Sequence, residues 1–195
     1  MNMKTLISSA ILMGTMAGTL ATTAQAADYT IDTKGAHASI NFRVSHLGYS
    51  WLEGRFNEFG GQFSYDEANP SAANVSVEIN TASVDSNHAE RDKHIRSEDF
   101  LDVKTYPKAN FKSTSFTANA DGTAVLNGDL TLHGVTKAVV LLVSKIGEGQ
   151  DPWGGYRAGF TGTTEFKMKD FGITKNLGPA SETVYMELHV EGIRQ

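Results

Sequence analysis

Apolar and polar residues alternate with a period of two along most of this chain, the spacing that sends successive side chains to opposite faces of a strand. In AHASINFRVSHLG, Ala38, Ile40, Phe42 and Val44 share one face, and Ser39, Asn41, Arg43 and Ser45 the other. Phe63 and Tyr65 fall together in GGQFSYD, as do Val75, Val77 and Ile79 in NVSVEIN. The pattern returns at Leu126, Leu130 and Leu132, at Val139, Leu141 and Val143, at Phe160, Thr164, Phe166 and Met168, and at Val184, Met186, Leu188 and Val190. Each run reads as a half-buried antiparallel strand. Turn chemistry separates them at Asn69-Pro70, Asp121-Gly122, His133-Gly134, Gly154-Gly155 and Gly178-Pro179. Roughly eight strands, with no alternating helices and no repeat period, predict an all-β domain built as a closed antiparallel barrel or a sandwich. Closure is preferred, because it removes the edges a lone sheet must guard.

One segment breaks the alternation. NHAERDKHIRSEDF, from Asn87 to Phe100, crowds histidines, carboxylates and arginines together. Ser86 or Asn87 suits a helix N-cap, and Glu90 stands three residues after Asn87 in capping-box spacing. A short helix is predicted within residues 87–101, lying across a barrel end or outside the wall. Its apolar residues Ile95, Phe100 and Leu101 dock on the barrel, Arg91 pairs with Asp92 or Glu90, and His94 meets a loop carbonyl. The segment is then a polar lid with Arg91, Asp92, His94 and Phe100 at the pore mouth. His88, Glu90, Asp92 and His94 also invite a metal reading. On a helix, however, His88 and Asp92 share one face while Glu90 and His94 share another, so four ligands do not converge on one ion.

The remaining chemistry is sparse. Asp170-Phe171-Gly172 has no phosphate-gripping glycine loop beside it, and no serine stands in a nucleophile elbow. No catalytic or metal-ligating residue is assigned. Tyr49, Trp51 and Trp153, near expected strand ends and turns, are placed at a pore mouth. Arg55, Arg157 and Lys169 are cations able to meet a polar head group.

Residues 1–26 carry one cation at Lys4, an apolar stretch and Ala24-Gln25-Ala26, the pattern of a cleaved secretory signal. Residues 27–195 then form a single domain, with 16 cations against 22 carboxylates and a net charge near −6. Such a chain has no general attraction to nucleic acid. There is no cysteine, so disulfides, thiol catalysis and thiolate metal sites are excluded. The expectation is an exported, monomeric or homodimeric protein of a bacterial periplasm, with no transmembrane segment in the mature chain.

The blocks HASINFRVSHLGYSWLEGRF, TASVDSNHAERDKHIRSEDFLDVKTYPKANFKST, GDLTLHGVTKAV, DPWGGYRAGF and KDFGI, in that order, resemble the signature blocks of the YceI family. That resemblance spans essentially the whole chain after the leader. It implies an extended eight-stranded lipocalin-like barrel holding a polyisoprenoid, such as a quinone side chain, as ligand and no separate cofactor. The pore lining is then assigned to Ala38, Ile40, Phe42, Val44, Phe63, Val75, Val77, Ile79, Leu130, Leu132, Val139, Leu141, Phe160, Phe166, Met186 and Leu188. Small inward residues, Ala38, Gly61, Gly128, Ala158 and Gly162, are expected to leave the channel open. Strands of about ten residues tilted near 40° give a pore roughly 25 Å deep, so a long isoprenoid bends or protrudes. The implied role is transport, storage or scavenging without catalysis. The alternatives are an isoprenoid-modifying or metal-assisted enzyme using His88, Asp92 and His94, or a stress-response protein with incidental lipid.

Overall fold

A computed structural model describes residues 26–195. The leader reading of residues 1–26 therefore falls, apart from Ala26, outside the described residues. Eleven strands form one antiparallel sheet. They are β1 (Ala27–Ile31), β2 (Ser39–His46), β3 (Ser50–Phe56), β4 (Phe59–Tyr65), β5 (Asn74–Asn80), β6 (Val84–Asp85), β7 (Lys108–Ala118), β8 (Thr123–Leu132), β9 (Val135–Gln150), β10 (Tyr156–Lys167) and β11 (Thr183–Arg194). The α-helix α1 (Ala89–Ile95) lies between β6 and β7.

The strands resolve into eight staves. Both β1 and β2 run antiparallel to β11, β1 at Gly192–Arg194 and β2 at Val184–His189, so they are two lengths of one stave interrupted at residues 32–38. By the same logic β3 and β4 form a second stave and β5 and β6 a third, since β3 pairs with β2 and β6 while β4 pairs with β1 and β5. With β7 to β11 unbroken, and β11 closing on the first stave, the sheet is a closed up-and-down barrel of eight staves. Closure leaves no full-length edge. Several staves exceed the expected ten residues; β9 has 16.

Sequence periodicity is kept along the staves except at bulges. The β7–β8 register shifts between Ser113 and Ser115. That one-residue slip returns Phe116 to the face used by Phe111, although five positions separate them.

The small inward residues behave differently from the expectation. A Cβ on Gly54 would lie 2.3 Å from the Phe42 ring, one on Gly128 2.3 Å from Phe111, and one on Gly192 2.4 Å from Phe63. These glycines seat aromatic rings laid across the neighbouring strand, and so help pack the interior instead of hollowing it. Gly61 is likewise closed off by Ser76 and Ile31. Ala158 is buried in a cluster with Tyr29, Ile31 and Phe63. Only Gly162 of the expected set has ordinary clearance, its nearest neighbours standing 3.7 Å from a built Cβ.

Candidate functional site

The two barrel ends are built from different materials. At the β1 end the Tyr29 and Phe63 rings stack with centroids 4.8 Å apart, and Phe160 meets both Phe63 and Tyr65 edge-on at 5.6 and 5.1 Å. This aromatic layer is a floor. At the opposite end α1 and the loop after it bring Ile95, Phe100 and Leu101 over the interior. The docking expected of these three residues is what the structure shows.

Between floor and lid lies a cavity of about 430 Å³ whose wall is almost wholly carbon. Ile40, Phe42 and Val44 reach it from β2, Phe63 from β4, and Val75, Val77 and Ile79 from β5. Leu130 and Leu132 come from β8, Val139 and Leu141 from β9, Phe160 and Phe166 from β10, and Met186 and Leu188 from β11. Ala38 does not. It precedes β2, in the interruption of the first stave, and packs on the Tyr29–Phe63 cluster below the floor.

Of the seven residues expected at the mouth or lid, Arg91, His94 and Phe100 line the cavity. Asp92 is buried behind them. The three aromatics do not line the cavity. Trp51 alternates with the inward Leu52 and therefore stands on the outer wall, edge-on to Tyr185 at 5.5 Å with the Arg43 guanidinium 4.6 Å above its ring. Tyr49 and Trp153 project from turns, 88% and 79% exposed. Residues that were not assigned also line the cavity, among them His46, Leu52, Phe56, Val84, Phe111 and Phe116. Leu52 and Phe56 have a legible signal, since they share a face of SWLEGRF once Gly54 is accepted between them.

The lid is fastened by polar contacts that differ from those expected. His88, not Ser86 or Asn87, is the N-cap, its Nδ1 accepting the Arg91 amide at 3.2 Å. Asn87 instead takes a left-handed turn, φ 61°, which asparagine tolerates. Arg91 and Asp92 do not pair with each other; both converge on Ser86. Asp92 accepts from the Ser86 amide at 2.8 Å and its hydroxyl at 2.5 Å, while Arg91 donates to the Ser86 hydroxyl at 2.8 Å and carbonyl at 2.5 Å. Arg96 donates to the carbonyls of Ala82 and Val84, tying the helix end to β6. His94 Nε2 faces the Asp99 carboxylate at 2.8 Å in place of a loop carbonyl, and Lys175 reaches the same carboxylate at 2.6 Å. His88, Asp92 and His94 thus have separate partners and do not converge.

A second polar cluster lies outside the cavity. Arg157 bonds Asp32, Asp151 and Glu191 at 2.8, 2.8 and 2.5 Å, and His37 donates to Asp32 at 2.9 Å. Among the described residues, Asp32, His37 and Glu191 are the one histidine–carboxylate group whose ligand atoms crowd within 4.8 Å. The Arg157 guanidinium already occupies the space between these carboxylates, bonding Asp32 and Glu191 through the same Nη1, so the arrangement is a clasp between the β1–β2 connection and the β10–β11 pair. Of the other candidate head-group cations, Lys169 is exposed 4.0 Å from Glu182, and Arg55 is paired in register with Asp85 on β6.

Hydrogen bonds from His37, then from Arg157 and the Gly35 amide, hold the Asp32 carboxyl at about 2, against an ordinary 3.8. Because the folded value is depressed, the clasp stabilises fully above the unfolded value and loses its contribution as pH falls from about 4 toward 2. Asp32→Asn is expected to lower the melting temperature at neutral pH by several degrees, with the gap to the parent protein closing below pH 4. Thermal melts of both proteins across that range test this, and parallel curves would contradict it.

An up-and-down barrel that keeps an apolar hollow under a helical lid is of the lipocalin-like class. The chain belongs to the YceI-like domain family, whose model matches residues 29–192. A UPF0312 protein of Ectopseudomonas mendocina is 65% identical over 88% of this chain and 90% of its own length, and one from Shewanella sp. is 63% identical over the same shares. Among solved structures, a Campylobacter jejuni YCEI protein has 26% identity and a TM-score of 0.70, covering 78% of this chain and 90% of its own. Burkholderia cenocepacia BcnA shares the fold at 21% identity and TM-score 0.73, covering 83% and 98%. So does a polyisoprenoid binding domain from Saccharophagus degradans, at 18% and 0.62, covering 88% and 100%.

Proposed function

We propose that this protein is a binding protein that holds the hydrocarbon chain of a polyisoprenoid, or of a similar long-chain amphiphile, and carries, stores or scavenges it without covalent chemistry. One observation carries the reading: a cavity of about 430 Å³ with an almost purely apolar wall, floored by aromatic rings and roofed by a helix. Burying hydrocarbon there is favourable at about 0.8 kcal/mol per methylene, or roughly 4 kcal/mol per isoprene unit. No charged anchor is then required for tight binding. The polyisoprenoid binding domain of Saccharophagus degradans, which shares the fold, supports this choice of ligand. The leader pattern supports export, and the reading places the protein in a bacterial periplasm. Protein purified from its own host, extracted with organic solvent and analysed by mass spectrometry, is expected to yield an isoprenoid in near-stoichiometric amount. Lipid-free extracts from repeated preparations would overturn the proposal.

A further inference from the structure

The barrel wall divides between β9 and β10. Their ladder stops at the pair Thr163–Leu142. Below that pair β9 continues to Val135 along β8, while β10 continues to Lys167 along β11, so each strand keeps its other neighbour and the two separate. A short helical turn at Met168–Phe171 follows β10, with the Phe171 ring 5.0 Å from Phe166 and its carbonyl 3.2 Å from His133 Nδ1.

On the outside an open groove of about 1570 Å³ runs past this division. Phe42, Val139, Thr164, Phe166 and Met186 line both the groove and the inner cavity. At Phe42 and Met186 the β2–β11 ladder still lies between the two spaces; beyond the Thr163–Leu142 pair, where Val139, Thr164 and Phe166 stand, side chains separate them without a β9–β10 ladder. The groove also holds Val140 and Leu142, 53% and 64% exposed, large apolar side chains on the outer face of β9.

Capacity links these features. A methylene-sized group occupies roughly the 30 Å³ of a water molecule, so about 430 Å³ accommodates on the order of fifteen carbons, or three isoprene units. A longer chain must continue elsewhere, and the β9–β10 division lies between the cavity and the outer groove.

We propose that the β9–β10 division is a lateral gate and that the outer groove at Val140 and Leu142 is a second subsite, occupied by the part of a long prenyl chain that the cavity does not hold. The inference rests on the hydrocarbon-binding reading above and adds to it a route and a dependence on chain length. Short chains use the cavity alone; long chains use both spaces.

Leu142→Asp tests this, because the residue is on the outer face and its replacement leaves the interior untouched. Binding of a fifteen-carbon and a forty-carbon prenyl alcohol is measured on parent and variant, with thermal melts as a control for folding. The expected result is a loss on the order of tenfold or more for the long alcohol, the equivalent of about 1.4 kcal/mol per decade, with the short one unchanged. In a second measurement Leu142→Cys, the sole cysteine in this cysteine-free chain, carries an environment-sensitive fluorophore. Its emission is expected to shift to the blue with the long alcohol only. Equal responses to both alcohols, or no response to either, would overturn the gate while leaving the cavity reading intact. Unchanged long-chain affinity with dissociation of a dimer would make the groove a contact between copies instead. Failure of the parent protein to bind either alcohol would remove both readings.

Discussion

Gly162→Phe is expected to weaken hydrocarbon binding by about a hundredfold or more while leaving the barrel folded. Gly162 lies on the inward face of β10 and lines the cavity, with the nearest atoms to a built Cβ at 3.7 Å. A phenylalanine there has room at its base and projects into the hollow, in contrast to Gly54, Gly128 and Gly192, where rings already occupy the space. The added ring displaces about one isoprene unit of guest. Losing that burial forfeits up to roughly 4 kcal/mol, close to a thousandfold in affinity, of which lid adjustment recovers a part. Titration with a prenyl alcohol, beside a thermal melt, checks this. Undiminished binding by a folded variant would mean that the guest does not occupy the cavity.

Asp92→Ala is expected to have the next largest effect, and a different one. The Asp92 carboxylate is 7% exposed and accepts two hydrogen bonds from Ser86. Its removal leaves the Ser86 amide unsatisfied in a buried setting, at a cost of about 1–3 kcal/mol. It also deprives the Arg91–Ser86 contact of its neighbouring negative charge. Since this knot fastens α1 to the end of β6, the lid should open more often. The expected outcome is a lower melting temperature together with faster release of bound hydrocarbon, read by stopped-flow transfer to vesicles. Asp92→Asn, which keeps one acceptor oxygen, is expected to fall between. An Asp92→Ala variant that loses stability with no change in release rate would show that α1 does not control exit.

The inner wall was legible in the sequence wherever one strand kept a strict period of two. Ile40, Phe42 and Val44, or Val75, Val77 and Ile79, needed no tertiary information, because alternation alone assigns them to one face. Phe111 and Phe116 were not legible: their odd spacing shares a face only because of the bulge in β7, and a bulge leaves no signature in residue type. The division of three staves into shorter strands was hidden for a related reason. An interruption of two to seven residues reads as a turn, and register across partners decides that the strand resumes on the same line. Trp51 and Trp153 misled through chemistry. An aromatic on the outer wall or on an exposed turn has the same sequence context as one at a mouth, and only parity with Leu52 excludes Trp51 from the interior. The clasp of Asp32 and Arg157 joins groups 125 positions apart, a distance over which local pattern carries no information.

The interruptions at residues 32–38, 57–58 and 81–83 fall on three adjoining staves, whereas β7 to β11 run unbroken on the other side. Backbone hydrogen bonding is thus interrupted along two lines of the circumference: the joints of the first three staves, and the part of the β9–β10 seam beyond Thr163–Leu142. A guest of greater girth would meet least resistance along these two lines, while the continuous ladders of β8 with β9 and of β10 with β11 hold the wall beside the second of them.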